Sequence, residues 1–430
     1  MAIVGIVLFA LLLLAVPIGI ALSSAAAAYI LIDPLLEPTV IFRQFFSFIT
    51  RYSLTAIPLF IFAGFLMEKT GLIGQLFRFA DSLVGWMPGG FGVATVIACV
   101  MFGAISGSSV AMAAAMSVIA IPEMRKRGYP DWIAGGIVAT AGGIAILIPP
   151  SIPLLIYGIV TETSVVGLFF AGVVPGLLLA GGYILSIVVI ALWVKLPRSG
   201  TKFEAARVAR EAKGALPAFG MPVLILGGLY GGLFTPTEAA AAACGYAMAY
   251  GVIVGRTRFL RELLPTAMRS MSLTGVIMFL IGSVGVFQFL AANMYWPQKI
   301  TDAIVGMGLT PTGFIFAYML VLLILGCFVD GVAMILLTVP VIFPVALALK
   351  VDPIHLGILL TLNIEMGVVT PPVGLNLFAV CGTSKIPLPQ VVKGTIPFFA
   401  ADLAVLLLII FVPELATWLP DLVVTDAFKK

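Results

Sequence analysis

Long stretches without charged residues alternate with short charged segments along most of the chain. A helix needs about 20 apolar residues to cross about 30 Å of hydrocarbon. In lipid the backbone polar groups must be paired, so these stretches should be helical. We therefore expect an all-α polytopic membrane protein with about ten transmembrane helices. The charge-free stretches are 1–32, 82–122, 132–161, 163–194, 214–237, 239–255, 270–298, 303–329, 331–349 and 366–384.

Two of these stretches have glycine or polar residues at their centres. In 82–122 the centre is Gly103–Ser109. Each arm beside it has about 15 residues and reaches only about 22 Å, which is too short to cross the hydrocarbon. We predict a re-entrant hairpin with its tip near mid-membrane. The stretch 313–349, with its tip at Gly326–Gly331, predicts a second hairpin.

The two halves of the chain align with one another. A shift of 222 residues superposes several prolines without a gap. The pairs include Pro122 with Pro344, Pro149-Pro150 with Pro371-Pro372, and Pro175 with Pro397. The crossings between the two hairpins make the halves inverted relative to each other. An inverted repeat with broken helices is typical of secondary transporters.

Basic residues indicate which ends of the spans face the cytoplasm. The most hydrophilic segment, 195–214, should be a cytoplasmic loop. The basic segments 125–127 and 256–261 should lie on the same side, so that 236–255 and 271–292 are separate spans. The predicted organisation is 1–90, first-half scaffold helices and an interfacial arm; 91–194, first-half transport core with hairpin 1 and a broken helix; 195–214, loop; 215–312, second-half scaffold helices and arm; and 313–430, second-half transport core with hairpin 2 and a broken helix.

Each half also contains a proline pair inside a predicted span. Pro149-Pro150 lies in segment 131–160 and Pro371-Pro372 in segment 354–382. Proline lacks an amide donor and clashes with the preceding turn, so each pair should unwind the helix and free carbonyl groups. Such backbone persists at membrane depth only where it lines a cavity or binds something. The alternative is a plain proline kink buried against neighbouring helices.

Free carbonyls and hydroxyls suit a hard cation such as Na⁺, and half-helix N-termini suit an anion. The pattern predicts one cation site in each half and an anion site between them. The predicted sodium-binding residues are Gly103, Ser106, Ser108, Gly143, Gly326, Asp330, Gly367 and Thr370. The predicted substrate-binding residues are Pro150, Ser151, Asn363, Pro372 and Asn376. No cofactor is expected beyond Na⁺ as the coupling ion.

Four polar residues stand out in these apolar segments. Asp330 can bind a cation or cap the second hairpin helix. Asn363 and Asn376 can bind substrate or make interhelical hydrogen bonds. Glu365 is singled out with Asp330 because acids within a membrane are costly and usually functional.

Composition excludes several classes of protein. Hydrophobic residues make up 62% of the chain and charged residues only 10%, whereas soluble domains carry about 25% charged residues. The single histidine, His355, disfavours a His-rich metal site or a Ser-His-Asp hydrolase, and no Gly-Lys pair exists for a Walker A loop. A net charge of +4 is too small to indicate nucleic-acid binding. We expect no enzyme activity.

Four motifs together resemble the large, DctM-like membrane subunit of tripartite ATP-independent periplasmic (TRAP) transporters, over nearly the whole chain. They are Phe102-Gly-Ala-Ile-Ser-Gly-Ser-Ser109, Ile148-Pro-Pro-Ser-Ile-Pro153, Phe234-Thr-Pro-Thr-Glu-Ala239 and Thr370-Pro-Pro-Val-Gly-Leu-Asn-Leu377. The resemblance implies an elevator-type transporter in a bacterial inner membrane. It implies Na⁺-driven uptake of an organic acid such as a C4-dicarboxylate, sialic acid or another sugar acid. It also implies two partners, a small four-helix membrane subunit and a periplasmic substrate-binding protein.

Three alternative functions remain. The first is a stand-alone sodium-coupled carboxylate carrier of related architecture. A channel would need polar rings along a continuous pore, whereas helix breaks occur at two levels only. An intramembrane enzyme would need a catalytic pair, for which Asp330 and Glu365 are the only candidates.

Overall fold

The structure is a computed structural model that describes residues 2–14, 16–194, 196, 203–306 and 308–423. These residues form nineteen α-helices and two 3-10 segments, Tyr52–Thr55 and Gly142–Ile146, and contain no strand. The helices are α1 Ala2–Leu13, α2 Ile18–Ile32, α3 Thr39–Ile49, α4 Ala56–Lys69, α5 Leu72–Val84, α6 Gly90–Ser106, α7 Ser109–Lys126, α8 Asp131–Ala141, α9 Ile152–Thr161, α10 Val165–Val194, α11 Ala205–Tyr230, α12 Pro236–Asn293, α13 Trp296–Gly306, α14 Pro311–Gly326, α15 Gly331–Ala348, α16 Pro353–Val368, α17 Leu375–Ser384, α18 Leu388–Phe411 and α19 Glu414–Val423.

Seven segments of the described chain are long and apolar enough to cross a membrane. Several shorter apolar helices accompany them, including the pieces of the two interrupted helices. The expected all-α polytopic architecture is therefore confirmed. The seven segments are Tyr52–Lys69, Val165–Val194, Ala205–Tyr230, Pro236–Gly255, Phe259–Asn293, Gly331–Ala348 and Leu388–Phe411.

Both predicted hairpins are present as two helices joined by a short tip. Hairpin 1 joins α6 and α7 through Gly107 and Ser108. Hairpin 2 joins α14 and α15 through residues 327–330. The first arms, α6 and α14, have 17 and 16 residues. Such arms reach only about 25 Å.

The two spans expected at 236–255 and 271–292 lie in two separate apolar segments, Pro236–Gly255 and Phe259–Asn293. The basic segment 256–261 does not end the helix, however, because α12 continues through it as a single helix of 58 residues. Arginine is a good helix former, so a cluster of arginines does not itself end a helix. Both parts of α12 contact α4. Near its start, the Cys244 thiol donates to the Leu59 carbonyl. Farther along, Arg269 pairs with Glu68 at 3.6 Å.

The helices of the two halves interleave rather than forming separate bodies. Helix α7 packs against α17, α8 against α18, and α9 against α15. The contact between α8 and α18 is a backbone contact, because a Cβ atom on Gly136 would lie 2.2 Å from the Gly394 carbonyl carbon. Helices α2, α3 and α4 instead pack against α12.

A buried aspartate joins α5 to two other elements. The Asp81 carboxylate accepts from Arg127, at the end of hairpin 1, at 3.1 Å. It also accepts from Arg207, at the start of α11, at 3.0 Å. The Arg127 guanidinium lies over the Phe91 ring, 4.0 Å from its centroid. This junction fixes α5 to hairpin 1 and to α11 at one point.

Candidate binding site at the hairpin tips

The tip of hairpin 1 is a two-residue turn. Gly107 has φ +59°, a conformation that favours glycine. Ser108 is extended and precedes α7, but its hydroxyl makes no capping bond. A Cβ atom on Gly107 would lie 2.8 Å from the Pro150 carbonyl oxygen, so this tip touches the first helix break. The side chain of Ser106 lies outside the described part of the structure.

The tip of hairpin 2 carries a carboxylate. Asp330 precedes α15, and its Oδ2 accepts from the Val332 amide at 3.1 Å. Asp330 therefore caps α15, which is one of the two roles predicted for it. The Cys327 carbonyl accepts from the Val373 amide at 3.1 Å, which ties this tip to the second break. Pro372 lies in that break, next to Val373.

The first interrupted helix unwinds in stages. Helix α8 ends at Ala141, the 3-10 segment follows, and α9 begins at Ile152. Ser151 caps α9 by accepting from the Leu154 amide at 3.3 Å, and its hydroxyl donates to the Ile146 carbonyl. The Ser151 hydroxyl is thus occupied by backbone groups. The Pro149-Pro150 peptide bond is cis.

The second interrupted helix stays α-helical for longer. Helix α16 ends at Val368, and α17 begins at Leu375 after Gly374, which has φ +57°. The Thr370 hydroxyl donates to the Met366 carbonyl at 2.5 Å, so it too is satisfied by local backbone. The Pro371-Pro372 bond is also cis.

Each hairpin touches the break of its own half through glycine. A Cβ atom on Gly103 would lie 3.0 Å from Ala145 Cα. In the second half, a Cβ atom on Gly326 would lie 2.9 Å from Gly367 Cα. The predicted cation-site glycines Gly103, Gly326 and Gly367 are thus positions where two backbones meet.

Gly143 contacts the acid singled out from the sequence. A Cβ atom on Gly143 would lie 1.4 Å from Glu365 Oε2, so the Glu365 carboxylate occupies the space that any side chain at 143 would need. Glu365 is fully buried. Its Oε1 lies 3.4 Å from the Tyr183 hydroxyl, which also donates to Asp402.

Sequence reasoning missed Tyr183 and Asp402. Asp402 is buried and is the only charged residue between 394 and 413. An acid in so long an apolar run is itself a signal of function or pairing. Tyr183 gave no comparable signal, because a tyrosine in an apolar helix is ordinary. Glu365 Oε2 and Asp402 Oδ2 have no hydrogen-bond partner within the described residues.

The two predicted asparagines make interhelical hydrogen bonds, one at each hairpin. Asn363 Nδ2 donates to the Met319 carbonyl of α14 at 2.9 Å. Asn376 Nδ2 donates to the Ser109 hydroxyl at 2.6 Å and to the Ala139 carbonyl at 2.9 Å. Both side chains are buried, and the Oδ1 atom of each has no partner in the described chain.

The two hairpin tips meet at one cavity of about 150 Å³. It brings together Ser108 and Asp330, and α7, α9 and α15 all begin at its wall. None of its lining residues in the described part of the chain is Lys, Arg or His. The other predicted residues whose side chains the structure describes do not line it. The lining residues are Gly107, Ser108, Ser109, Val110, Ile146, Ile152, Pro153, Leu273, Val276, Ile277, Leu280, Asp330, Gly331, Val332, Ile364 and Val368.

No group of three or more His, Cys, Asp and Glu side chains is placed to hold a metal ion within the described ranges. The oxygen atoms near the tips are instead carbonyls, hydroxyls, amide oxygens and single carboxylates. Such oxygens are the ligands that hard cations take. Three helix N-termini around one cavity provide a partial positive charge for an anion without a basic side chain.

Comparisons with known proteins converge on one family. The model for the tripartite ATP-independent periplasmic transporter, DctM component, matches residues 5–415. The chain is 36% identical to the C4-dicarboxylate TRAP transporter large permease protein DctM of Vibrio cholerae, over 98% of this chain and 97% of that protein. It is 37% identical to the ectoine/5-hydroxyectoine TRAP transporter large permease protein UehC of Ruegeria pomeroyi, over 98% and 97%. It is 33% identical to the sialic acid TRAP transporter large permease protein SiaM of Vibrio cholerae, over 96% of each chain.

The fold also resembles a solved structure. The YdaH transporter of Alcanivorax borkumensis, described as having an unusual topology, superposes with a TM-score of 0.65 over 89% of each chain. Sequence identity is 12%, so this likeness concerns the fold alone.

Proposed function

The chain belongs to the DctM component family of tripartite ATP-independent periplasmic transporters, as a large permease subunit, and we propose that it couples uptake of an organic acid anion to Na⁺. Family membership confirms the resemblance drawn from the four motifs. It also confirms a multi-pass inner-membrane protein whose relatives are named as permeases. We also propose its binding residues and its partners.

The observation that carries the proposal is the cavity between the hairpin tips. Three helix N-termini at its wall, those of α7, α9 and α15, would stabilise a carboxylate where the described lining residues include no basic side chain. One wall of the cavity is α12, which packs against α2, α3 and α4. A site between the tips and this helix suits an elevator in which the core moves along a fixed scaffold.

Sodium would bind where each hairpin meets its helix break. The close contacts of Gly103 and Gly326 bring the backbones of two segments together in each half. A buried amide oxygen without a partner among the described residues also lies beside each hairpin, Oδ1 of Asn376 beside hairpin 1 and Oδ1 of Asn363 beside hairpin 2. These orphaned oxygens fit a hard cation. We propose Gly103, Ser106, Ser108 and Gly143 for one site, and Gly326, Asp330, Gly367 and Thr370 for the other.

The proposed partners are a small four-helix membrane subunit and a periplasmic substrate-binding protein, which would deliver the acid to the outer mouth of the site. The relatives named above act on a C4-dicarboxylate, on ectoine/5-hydroxyectoine and on sialic acid. The transported solute therefore differs among proteins of this one fold.

Sodium binding is tested on the purified membrane complex, without any solute. We expect its thermal unfolding midpoint to rise with NaCl and not with choline chloride, because a ligand at about 100 times its Kd stabilises the folded state by about 2.7 kcal/mol. Gly367→Ala should weaken the response, whereas Gly382→Ala, where a Cβ atom meets nothing within 4 Å, should not. Equal responses to NaCl and choline chloride would overturn sodium coupling.

Transport is tested in proteoliposomes that contain both membrane subunits, with the periplasmic protein outside and labelled organic acids. We expect uptake only under an inward Na⁺ gradient and only with the periplasmic protein present. Undiminished uptake in choline chloride without a pH gradient would contradict the proposal. Full uptake by this chain alone would favour a stand-alone carrier.

A further inference from the structure

The walls of the cavity at the hairpin tips differ sharply in polarity. Its polar side chains are Ser108, Ser109 and Asp330, and all three belong to the tips. The rest of the lining, apart from two tip glycines, consists of aliphatic residues and one proline. These residues are Val110, Ile146, Ile152, Pro153, Leu273, Val276, Ile277, Leu280, Val332, Ile364 and Val368.

We propose that the transported acid is a small monocarboxylate with an apolar remainder, rather than a dicarboxylate or a polyhydroxylated sugar acid. This inference rests on the proposed function, since it names the solute of that same site. The carboxylate binds at the tips, and the hydrocarbon part contacts α12 and α16.

Size supports this assignment. A cavity of about 150 Å³ lined by aliphatic side chains holds a molecule the size of benzene, and the cavity here has that volume. A branched acid of about this size fits. A sugar acid with a bulky polar body needs many more polar partners than this lining provides.

Charge supports it as well. A second carboxylate on the solute would face the aliphatic wall. The wall offers no donor to it, and burying an unpaired charge is strongly unfavourable. Additional hydroxyl groups would lose their hydrogen bonds to water without replacement.

A second apolar space extends the cavity away from the tips. This crevice has a volume of about 730 Å³ and shares Leu273, Val276, Leu280 and Asp330 with the cavity. Its far wall is the start of α2, from Pro17 to Ile20. The hydrocarbon part of a longer acid can extend into this crevice along α12. The site therefore restricts the length of the solute less strictly than its polarity.

The test compares three acids on the two-subunit membrane complex in NaCl, without the periplasmic protein, so that only the membrane site selects. Isovalerate and succinate have nearly the same size, but succinate carries a charged carboxymethyl group where isovalerate carries an isopropyl group. Gluconate represents sugar acids. We expect isovalerate to raise the thermal unfolding midpoint at concentrations at least tenfold lower than succinate or gluconate.

A substitution in α12 tests whether this side of the cavity contacts the solute. Val276→Thr places a hydroxyl on the α12 wall at almost constant volume and leaves the tips untouched. Since small changes in an apolar pocket alter discrimination by about 10-fold or more, we expect the preference for isovalerate over succinate to fall about tenfold. Val252→Thr is the control, because Val252 is exposed on the same helix, as Val276 is, but lies outside the cavity.

The outcomes separate this inference from the proposed function. If succinate or gluconate stabilises the complex as well as isovalerate does, the monocarboxylate assignment is overturned and sodium-coupled acid uptake stands. If Val276→Thr behaves like Val252→Thr, the α12 wall does not contact the solute and the assignment fails. If no acid has an effect in NaCl, the site at the tips fails together with both proposals.

Discussion

The broken helix of the first half and that of the second half differ in how they end. Helix α8 stops at Ala141 and passes into a 3-10 turn, whereas its counterpart α16 remains α-helical to Val368. The local sequence explains this difference. Gly142-Gly143 has low helix propensity, and the second half has Ile364-Glu365 at the matching positions.

The same difference determines how the halves fit together. Gly143 and Glu365 are equivalent positions under the 222-residue shift, and they contact each other. The carboxylate of one half fills the space left by the missing side chain of the other. Glu365 then reaches Tyr183 of α10, and through it Asp402 of α18. Two copies of either sequence could not pack in this way, so this contact depends on the difference between the two halves at positions 143 and 365.

Gly143→Ala is the substitution expected to disrupt the contact between Gly143 and Glu365 most. The new Cβ atom would lie 1.4 Å from Glu365 Oε2, and overpacking typically costs about 1–3 kcal/mol and occasionally more. We expect a lower unfolding midpoint and at least a tenfold loss of uptake in proteoliposomes. Gly181→Ala is the control, because nothing lies within 4 Å of its Cβ position.

The double variant Gly143→Ala/Glu365→Ala tests whether the clash is the cause. Its loss of stability should be smaller than the sum of the two single losses, because contacting residues are not additive. A strictly additive result, or a Gly143→Ala protein as stable as the control, would contradict the pairing of these two positions.

Gly367→Ala should have the next largest effect. Its Cβ atom would lie 2.7 Å from Gly326 Cα, a backbone atom that cannot move aside. The first-half contact is looser, since the Cβ atom of Gly103→Ala would lie 3.0 Å from Ala145 Cα. We expect a loss of about 2 kcal/mol for Gly367→Ala and about half of that for Gly103→Ala, within the range for overpacking. Thermal unfolding of the two variants measures the difference, and the reverse order would contradict it.

The hairpins and helix breaks could be predicted from the sequence because their signals are local. Gly107 and Ser108 interrupt an apolar run, and the Pro-Pro pairs remove amide donors wherever they occur. The Tyr183–Asp402 contact could not be predicted, because it joins residues 219 positions apart on two unbroken helices. The continuity of α12 was also missed, because charge indicates which side of the membrane a segment faces rather than where a helix ends.

The cavity could be predicted from the sequence only in part. Ser108 and Asp330 are equivalent positions under the 222-residue shift, and they meet at its wall. The part of the wall that α12 forms, from Leu273 to Leu280, is an ordinary apolar helix face. Its sequence therefore did not indicate a binding site. A contact made by such a face is fixed only by tertiary packing.

The asparagines provide a third comparison between the halves. Asn376 makes two hydrogen bonds, one to Ser109 of hairpin 1 and one to Ala139 of α8, while Asn363 makes one, to Met319 of hairpin 2. Each leucine substitution removes these donors at similar volume, and leaving a buried partner unsatisfied costs about 1–3 kcal/mol. We expect Asn376→Leu to lower the unfolding midpoint more than Asn363→Leu. Faster amide hydrogen exchange should appear at 108–112 in the first variant only. Equal exchange there in both variants would contradict this assignment.

The smallest expected effect concerns the caps of the two tips. Asp330 caps α15 through the Val332 amide, whereas Ser108 makes no such bond to α7. Because losing a cap costs about 1 kcal/mol, Asp330→Ala should lower the unfolding midpoint slightly, and Ser108→Ala should leave it almost unchanged.

Asp330→Asn separates the two roles of this carboxylate, because asparagine caps a helix as well as aspartate does but carries no charge. If Asp330 binds Na⁺, this variant keeps its midpoint in choline chloride and needs more NaCl to be stabilised. If Asp330 only caps, its NaCl response equals that of the wild type. The same measurement on Ser108→Ala then shows whether the uncharged tip of the first half binds Na⁺ at all. If the NaCl response of the unfolding midpoint depends more on one tip than on the other, the two cation sites differ from each other, as Gly143 and Glu365 do.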